Sequence, residues 1–206
     1  MSYLNDNRSN LLFPEEEALQ KRVELSGDDS FVRGMFFVNT LEMLRRLTNE
    51  KTAEEVRSQS ALAHEDCSAM RKYAMRHFLE LEALAAQRLT DMLGGFDEGV
   101  AAMGAGTVEI FFDSVAGRTM KLLAGRDPHR MMSAAPNGYM LAVSDNAVRE
   151  YQKTGERSGV FTFQRDCLGP CHNLGVFHAA ITACEVTPHI RLEQSSLVDF
   201  RFLVSW

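Results

Sequence analysis

The sequence predicts an α+β fold in which N-terminal helices pack on a small C-terminal antiparallel sheet with one intervening helix. The plainest sign is the end of the chain. Val198, Phe200, Phe202, Val204 and Trp206 alternate with Asp199, Arg201 and Ser205, and only Leu203 breaks the polar side, as expected of a half-buried strand. The stretch from Gly155 to Trp206 reads as two strand pairs separated by one short helix, whereas the first two thirds carry the three-to-four-residue spacing of amphipathic helices. A chain of 206 residues fits one domain with a core of its own. We divide it into an N-terminal extension and charged helix (1–30), a mainly helical part (31–134) and a mainly sheet part with one helix (135–206).

The elements follow in order. Pro14 ahead of Glu15, Glu16 and Glu17 suits a helix start, where a missing N–H costs nothing and acids meet the positive end of the dipole. A second helix is expected over Phe31–Leu47, with Ser30 as N-cap and Phe37, Leu41 and Leu44 on its apolar face. The longest should span Cys67–Leu93, with Met70, Ala74, His77, Phe78, Leu81, Leu84, Leu89 and Met92 forming one stripe and Gly94-Gly95 as the stop. After a glycine-punctuated segment, Gly99–Gly106, a further helix is marked by Val108, Phe111, Phe112, Val115, Thr119 and Leu122 and ends at Gly125. Asp127-Pro128 opens a segment running to Val148 whose state the pattern leaves open: Pro136-Asn137-Gly138 reads as a turn, and Tyr139–Val143 as strand or helix. Tyr151–Lys153 and Gly159–Gln164 are expected to form a hairpin around Thr154-Gly155. Asn173–Cys184 reads as a helix, and Ile190 and Leu192 share one face of a strand. Gln194-Ser195-Ser196 then turns into the closing strand.

Composition narrows the function classes. A net charge of −6 argues against duplex nucleic acid, which needs a concentrated positive surface. No run approaches the roughly 18 apolar residues of a membrane span, and Met1–Asn10 is polar without a leader-like apolar run, so the expected location is cytoplasmic. Four cysteines at irregular positions, 67, 167, 171 and 184, do not form a secreted disulfide framework and are expected to be free thiols.

Several groups invite chemistry. Cys167, Cys171 and His172 have a loose zinc-knuckle spacing, although a second matched pair is missing and small buried thiols are the more economical reading. His77 lies on the stripe of the longest helix, from which an imidazole could reach a haem iron, but a lone histidine there is more often a hydrogen-bonded core residue; His178 raises the same alternatives. Gly104-Ala105-Gly106-Thr107 superficially suggests a phosphate loop, yet no strand precedes it and the lysine is absent, so a helix-start turn is expected. Ser114 lacks the flanking glycines of a nucleophile elbow. No catalytic residue is assigned and no cofactor is identified. Thirteen Phe and 11 Met suit either a methionine-filled core or a pocket, and the pocket candidates are Met35, Phe36, Phe111, Phe112, Met131 and Met132, with Phe200 and Phe202 on the facing wall of the sheet.

Val32-Arg33-Gly34-Met35-Phe36-Phe37 leading into Leu41-Glu42-Met43-Leu44-Arg45-Arg46, then Val115-Ala116-Gly117-Arg118 with Leu122-Leu123, Asp127-Pro128 and the ending from Gly175 to Trp206, resemble an uncharacterised paralogous family of about 200 residues typical of myxobacteria. In outline the chain also resembles four-vinyl-reductase-type and haem-nitric-oxide-binding-type domains. That resemblance implies a sensory or signalling module that holds a small hydrophobic or amphipathic ligand between helices and sheet, without catalytic activity of its own. Relatives in vesicle-tethering complexes pair as dimers, which implies a homodimeric interaction protein as the alternative. The Tyr-x-Ser-x-Arg motif that clamps haem propionates in the nitric-oxide sensors is absent: Tyr139, Ser144 and Arg149 supply the residue types at the wrong spacing, which argues against haem.

Overall fold

The computed structural model describes residues 2–64 and 67–206. Among the described residues, eight α-helices lie with two antiparallel sheets. The helices are α1 (Glu15–Leu25), α2 (Met35–Leu47), α3 (Glu50–Gln59), α4 (Met75–Leu93), α5 (Phe96–Asp113), α6 (Val115–Ala124), α7 (Pro128–Ala142) and α8 (Gly169–Thr182). A small sheet joins β1 (Phe31–Arg33), β2 (Lys72–Ala74) and β3 (Val143–Ser144), with β1 in the middle. The larger C-terminal sheet contains β4 (Val148–Gly155), β5 (Ser158–Gln164), β6 (His189–Gln194) and β7 (Phe200–Ser205) in the order β4-β5-β7-β6. The α+β class and the closing strand therefore stand as the sequence predicts, with Phe200, Phe202 and Val204 buried in strict alternation.

Helix α5 is the axis of the fold. Every residue from Glu98 to Val108 is buried, and three glycines that read as punctuation instead let its neighbours approach. A Cβ on Gly104 would stand 1.9 Å from the His172 carbonyl oxygen of α8, and one on Gly175 of α8 would stand 1.7 Å from the Ala101 carbonyl oxygen of α5. Neither position can carry a side chain without separating the two helices. The expected turn at Gly104–Thr107 is thus the middle of a helix, because packing against α4 and α8 outweighs the unfavourable propensity of glycine.

Other boundaries differ from expectation as well. The helix expected over Phe31–Leu47 begins only at Met35, and the one expected over Cys67–Leu93 only at Met75, because Phe31-Val32-Arg33 pairs with Lys72-Tyr73-Ala74 as antiparallel strands. Ser30 is accordingly no N-cap, and Met70 is exposed rather than on the stripe. The apolar run around Phe111 breaks at Ser114, whose hydroxyl caps α6 by accepting from Gly117 N–H at 3.0 Å, and the chain bends by 93°. Asp127 caps α7 through His129 N–H at 2.9 Å, and this helix continues through Pro136 with no turn there. The hairpin reverses between Gly155 and Ser158, beyond Thr154. Helix α8 starts before Asn173, since the Asp166 carboxylate accepts from the Leu168 and Gly169 N–H groups and Pro170 follows at the first turn. Helix α3, unmarked in the sequence reading, is capped by Asn49, which accepts from Thr52 N–H.

The closing strand is not an edge. It lies between β5 and β6, and the Asn7 side chain covers outer strand β6 by donating to the Ile190 carbonyl and accepting from Leu192 N–H, both at 2.7 Å.

Candidate functional site

The broken helix α5–α6 folds over a cavity of about 80 Å³. Its walls are Met35 and Phe36 from α2, Thr107, Val108, Phe111 and Phe112 from α5, Met120 from α6, Met131, Ala135, Gly138, Tyr139 and Ala142 from α7, and His172, Val176 and Ala180 from α8. All are helical, so the cavity lies inside the helical layer and the sheet contributes no wall. Of the eight pocket candidates, Met35, Phe36, Phe111, Phe112 and Met131 come together here. Met132, Phe200 and Phe202 are buried core residues outside this lining: Phe200 stacks on Phe163 within the sheet, and Phe202 meets Phe163 edge-on and Phe177 of α8 at a tilt.

Only three lining residues are polar, and two are already satisfied. The Thr107 hydroxyl donates to the Met103 carbonyl at 3.0 Å. The Tyr139 hydroxyl donates to Asn173 Oδ1, and burial raises its phenol well above the ordinary range, aided by Asp166. The third is His172. Its ring stacks on Phe36 with centroids 5.9 Å apart and meets Phe78 edge-on at 5.8 Å. Nδ1 lies 2.6 Å from Glu82 Oε1 of α4, both side chains being fully buried, while Nε2 and Glu82 Oε2 have no partner among the described residues.

Below Tyr139 sits a charged cluster closed upon itself. Arg149 donates to Asp166 at 2.6 Å and to both Asp145 oxygens at 2.9 and 2.8 Å, and lies 4.7 Å from the Tyr139 ring. Burial opposes its charge, but Asp166 and Asp145 outweigh that and hold it protonated. Asp166 also accepts from Asn173 Nδ2 at 3.1 Å, so one carboxylate ties together the start of α8, β4 and the base of the cavity.

The other sequence candidates are scattered. Among the described residues no three His, Cys, Asp or Glu side chains are placed to share a metal. Cys171 is buried beside the Glu15–Arg22 ion pair and its thiol is pushed well up by burial and Glu15; burial and Asp166 push Cys167 to about 11. Both shifts oppose the thiolate a metal needs. His172 is taken by Glu82, His77 is half-buried on α4 outside the cavity lining, and His178 meets Tyr3 edge-on at 5.4 Å. All four cysteines are free. The residue the sequence reading passes over is Glu82, although its position carried a signal: an acid in register with Phe78, Ala85, Ala86 and Leu89, all fully buried on the inner face of α4.

Residues 27–206 match the family model described as protein of unknown function (DUF2378). The chain belongs to that family. It has no match among curated proteins. Among solved structures it is similar to the Fe(II) unliganded H-NOX protein from K. algicida, at 14% identity and TM-score 0.65 over 84% of this chain and 95% of that one. It is similar also to an H-NOX protein from S. oneidensis in the Fe(II)NO ligation state, at 12% identity and TM-score 0.66 over 84% and 98%. A third similar structure, from work on haem distortion in the H-NOX family, has 10% identity and TM-score 0.64 over 84% and 94%. At these identities the likeness establishes the fold.

A haem does not fit the residues of this family member. The cavity of about 80 Å³ is smaller than an apolar cavity of about 150 Å³ that holds a benzene ring. No Lys or Arg lines it to meet a propionate, and Arg149 is committed to two aspartates.

Proposed function

We propose that this DUF2378 protein is a non-catalytic sensory or signalling module whose cavity between α2, α5, α6, α7 and α8 encloses a small apolar or amphipathic molecule. The carrying observation is an almost wholly apolar cavity where α5 and α6 meet at a bend of 93°. A chain that needed only a core would fill such space with side chains, since interiors pack to near crystal density. The resemblance to four-vinyl-reductase-type domains and to a paralogous myxobacterial family belongs to the same reading, as does a cytoplasmic location. Solvent extraction of the purified full chain followed by mass spectrometry tests it: a stoichiometric small apolar compound supports it, and a ligand-free protein whose cavity also rejects added apolar probes refutes it.

A second reading, a homodimeric interaction protein, is favoured by a separate observation. Helix α6 and the end of α7 expose Val115, Leu122, Leu123, Met140 and Leu141, with Leu122 82% and Val115 75% accessible, and exposed apolar side chains gathered on neighbouring elements are what an interface covers. The closing strand and the apolar face of α2 are internal. Light scattering decides between a dimer and a strict monomer.

A further inference from the structure

We propose that the cavity is the inner end of a longer site that continues past Met120 into a surface groove between α6 and α7. Its occupant is a single-chain carboxylate, with the alkyl end in the cavity and the head at Arg130. This rests on the cavity reading above and adds the chemical class of the occupant and its way in.

Two spaces meet at one residue. Beside the cavity, α6 and α7 form a groove walled by Thr119, Met120 and Leu123 of α6 and by Arg130, Ser133 and Asn137 of α7. Met120 is the residue this groove shares with the cavity. On α7 the groove residues Ala134 and Asn137 directly precede the cavity residues Ala135 and Gly138, so the two stripes are neighbours on one helix. The end of the Met120 side chain lies over Gly138: a Cβ there would stand 3.1 Å from Met120 Cε and 3.7 Å from Phe111 Cζ. The divider is thus the tip of an unbranched, flexible side chain, which can swing aside without moving backbone.

Helix α6 is also lightly held. Of its ten residues only Gly117 and Ala124 are buried, neither with a large side chain. Its ends are the 93° bend at Ser114 and Gly125, whose φ is 59°. Elements that bury few apolar groups open at low free-energy cost, which makes α6 the wall that yields.

The two ends differ in chemistry. The cavity is lined almost wholly by apolar groups, and its volume of about 80 Å³ admits only a few heavy atoms while Met120 stays in place. In the groove, Arg130 is the one charged lining residue among the described residues, and Thr119, Ser133 and Asn137 add neutral hydrogen-bonding groups. Asp127 stands 3.5 Å from the Arg130 guanidinium with both side chains exposed, a pairing weak enough to leave the cation open to a second carboxylate. An apolar tail with an anionic head complements both ends at once.

The test titrates the full chain with butanoate, octanoate and octanol, following the methyl resonances of Met120 and Met131. Affinity is expected to rise about threefold to fourfold per methylene from butanoate to octanoate, with octanoate shifting both methyl signals. Gly138→Leu, which fills the junction, should abolish that rise. Arg130→Gln should weaken octanoate about two- to fivefold and leave octanol unchanged. Equal affinities for butanoate and octanoate, or octanoate shifting Met120 alone, overturn the passage and leave the cavity reading intact. Octanoate binding that Gly138→Leu does not alter lies elsewhere on the surface and overturns the proposal. Arg130→Gln without effect on octanoate, or weakening octanol equally, overturns the carboxylate head. Binding of none of the three probes overturns the proposal, and exclusion of xenon as well overturns the cavity reading with it. Should Gly138→Leu fail to fold, Met120→Ala decides: the octanoate-to-butanoate affinity ratio is expected to rise about threefold or more, and an unchanged ratio overturns the proposal.

Discussion

Glu82 and His172 show how much a single buried pair can demand. Truncating one partner leaves the other desolvated and unmatched, so Glu82→Ala and His172→Ala should each lower unfolding free energy by about 3–5 kcal/mol, whereas Glu82→Leu/His172→Phe should cost much less than their sum. Chemical denaturation of the three variants measures this, and additive losses would deny the coupling. A milder effect belongs to Tyr151, whose hydroxyl lies 2.6 Å from His129 Nδ1. Burial, with Asp127, pushes its phenol up to about 12 from an ordinary 10. A folded-state value above the unfolded one contributes stability that is complete below pH 10 and is lost as pH rises through about 12. Melting temperature should therefore fall across that alkaline window, and the fall should shrink in Tyr151→Phe.

At the scale of elements, the α5–α8 crossing is the structural centre. Gly175→Ala places a methyl group against the Ala101 carbonyl and should destabilise by about 3 kcal/mol or more, because backbone cannot yield as a side chain can. Gly94→Ala is the control: its φ of 85° is unfavourable, but nothing lies within 4 Å of the added atom, so about 1 kcal/mol is expected. Thermal unfolding of the two variants gives the comparison. The same crossing explains what the sequence could and could not show. The closing strand was legible because its period-two pattern is enforced by one buried face, and α4 because its stripe is long. Gly99, Gly104 and Gly106 misled because local propensity is silent about the partners they meet, Ala86 of α4, His172 of α8, and Asn39 and Met43 of α2. Strands β1 and β2 were invisible for a similar reason, since three residues have too little pattern to outweigh the helices that follow them. Five pocket candidates could be named from methionine and phenylalanine content alone, but small wall residues such as Ala135, Gly138 and Ala180 carry no signal until three helices meet around them.

For the whole molecule, the two apolar features of α6 point in opposite directions. The helix lines the cavity with Met120 and presents Leu122 and Leu123 to solvent. A protein that pairs through this face would couple occupancy of the cavity to assembly, since both act on the same ten-residue helix. If the homodimer reading holds, Leu122→Glu/Leu123→Glu should yield a monomer by light scattering while leaving the melting temperature nearly unchanged, because both side chains are exposed.

The central claim, that this fold keeps a ligand-sized apolar space among its helices, is tested most directly by pressurising crystals of the full chain with xenon. Xenon enters dry apolar cavities, so a density peak is expected within van der Waals contact of Phe111, Met131 and Val176, or an ordered native ligand occupying that place. Side chains from those helices filling the space, with no peak there, would contradict the account.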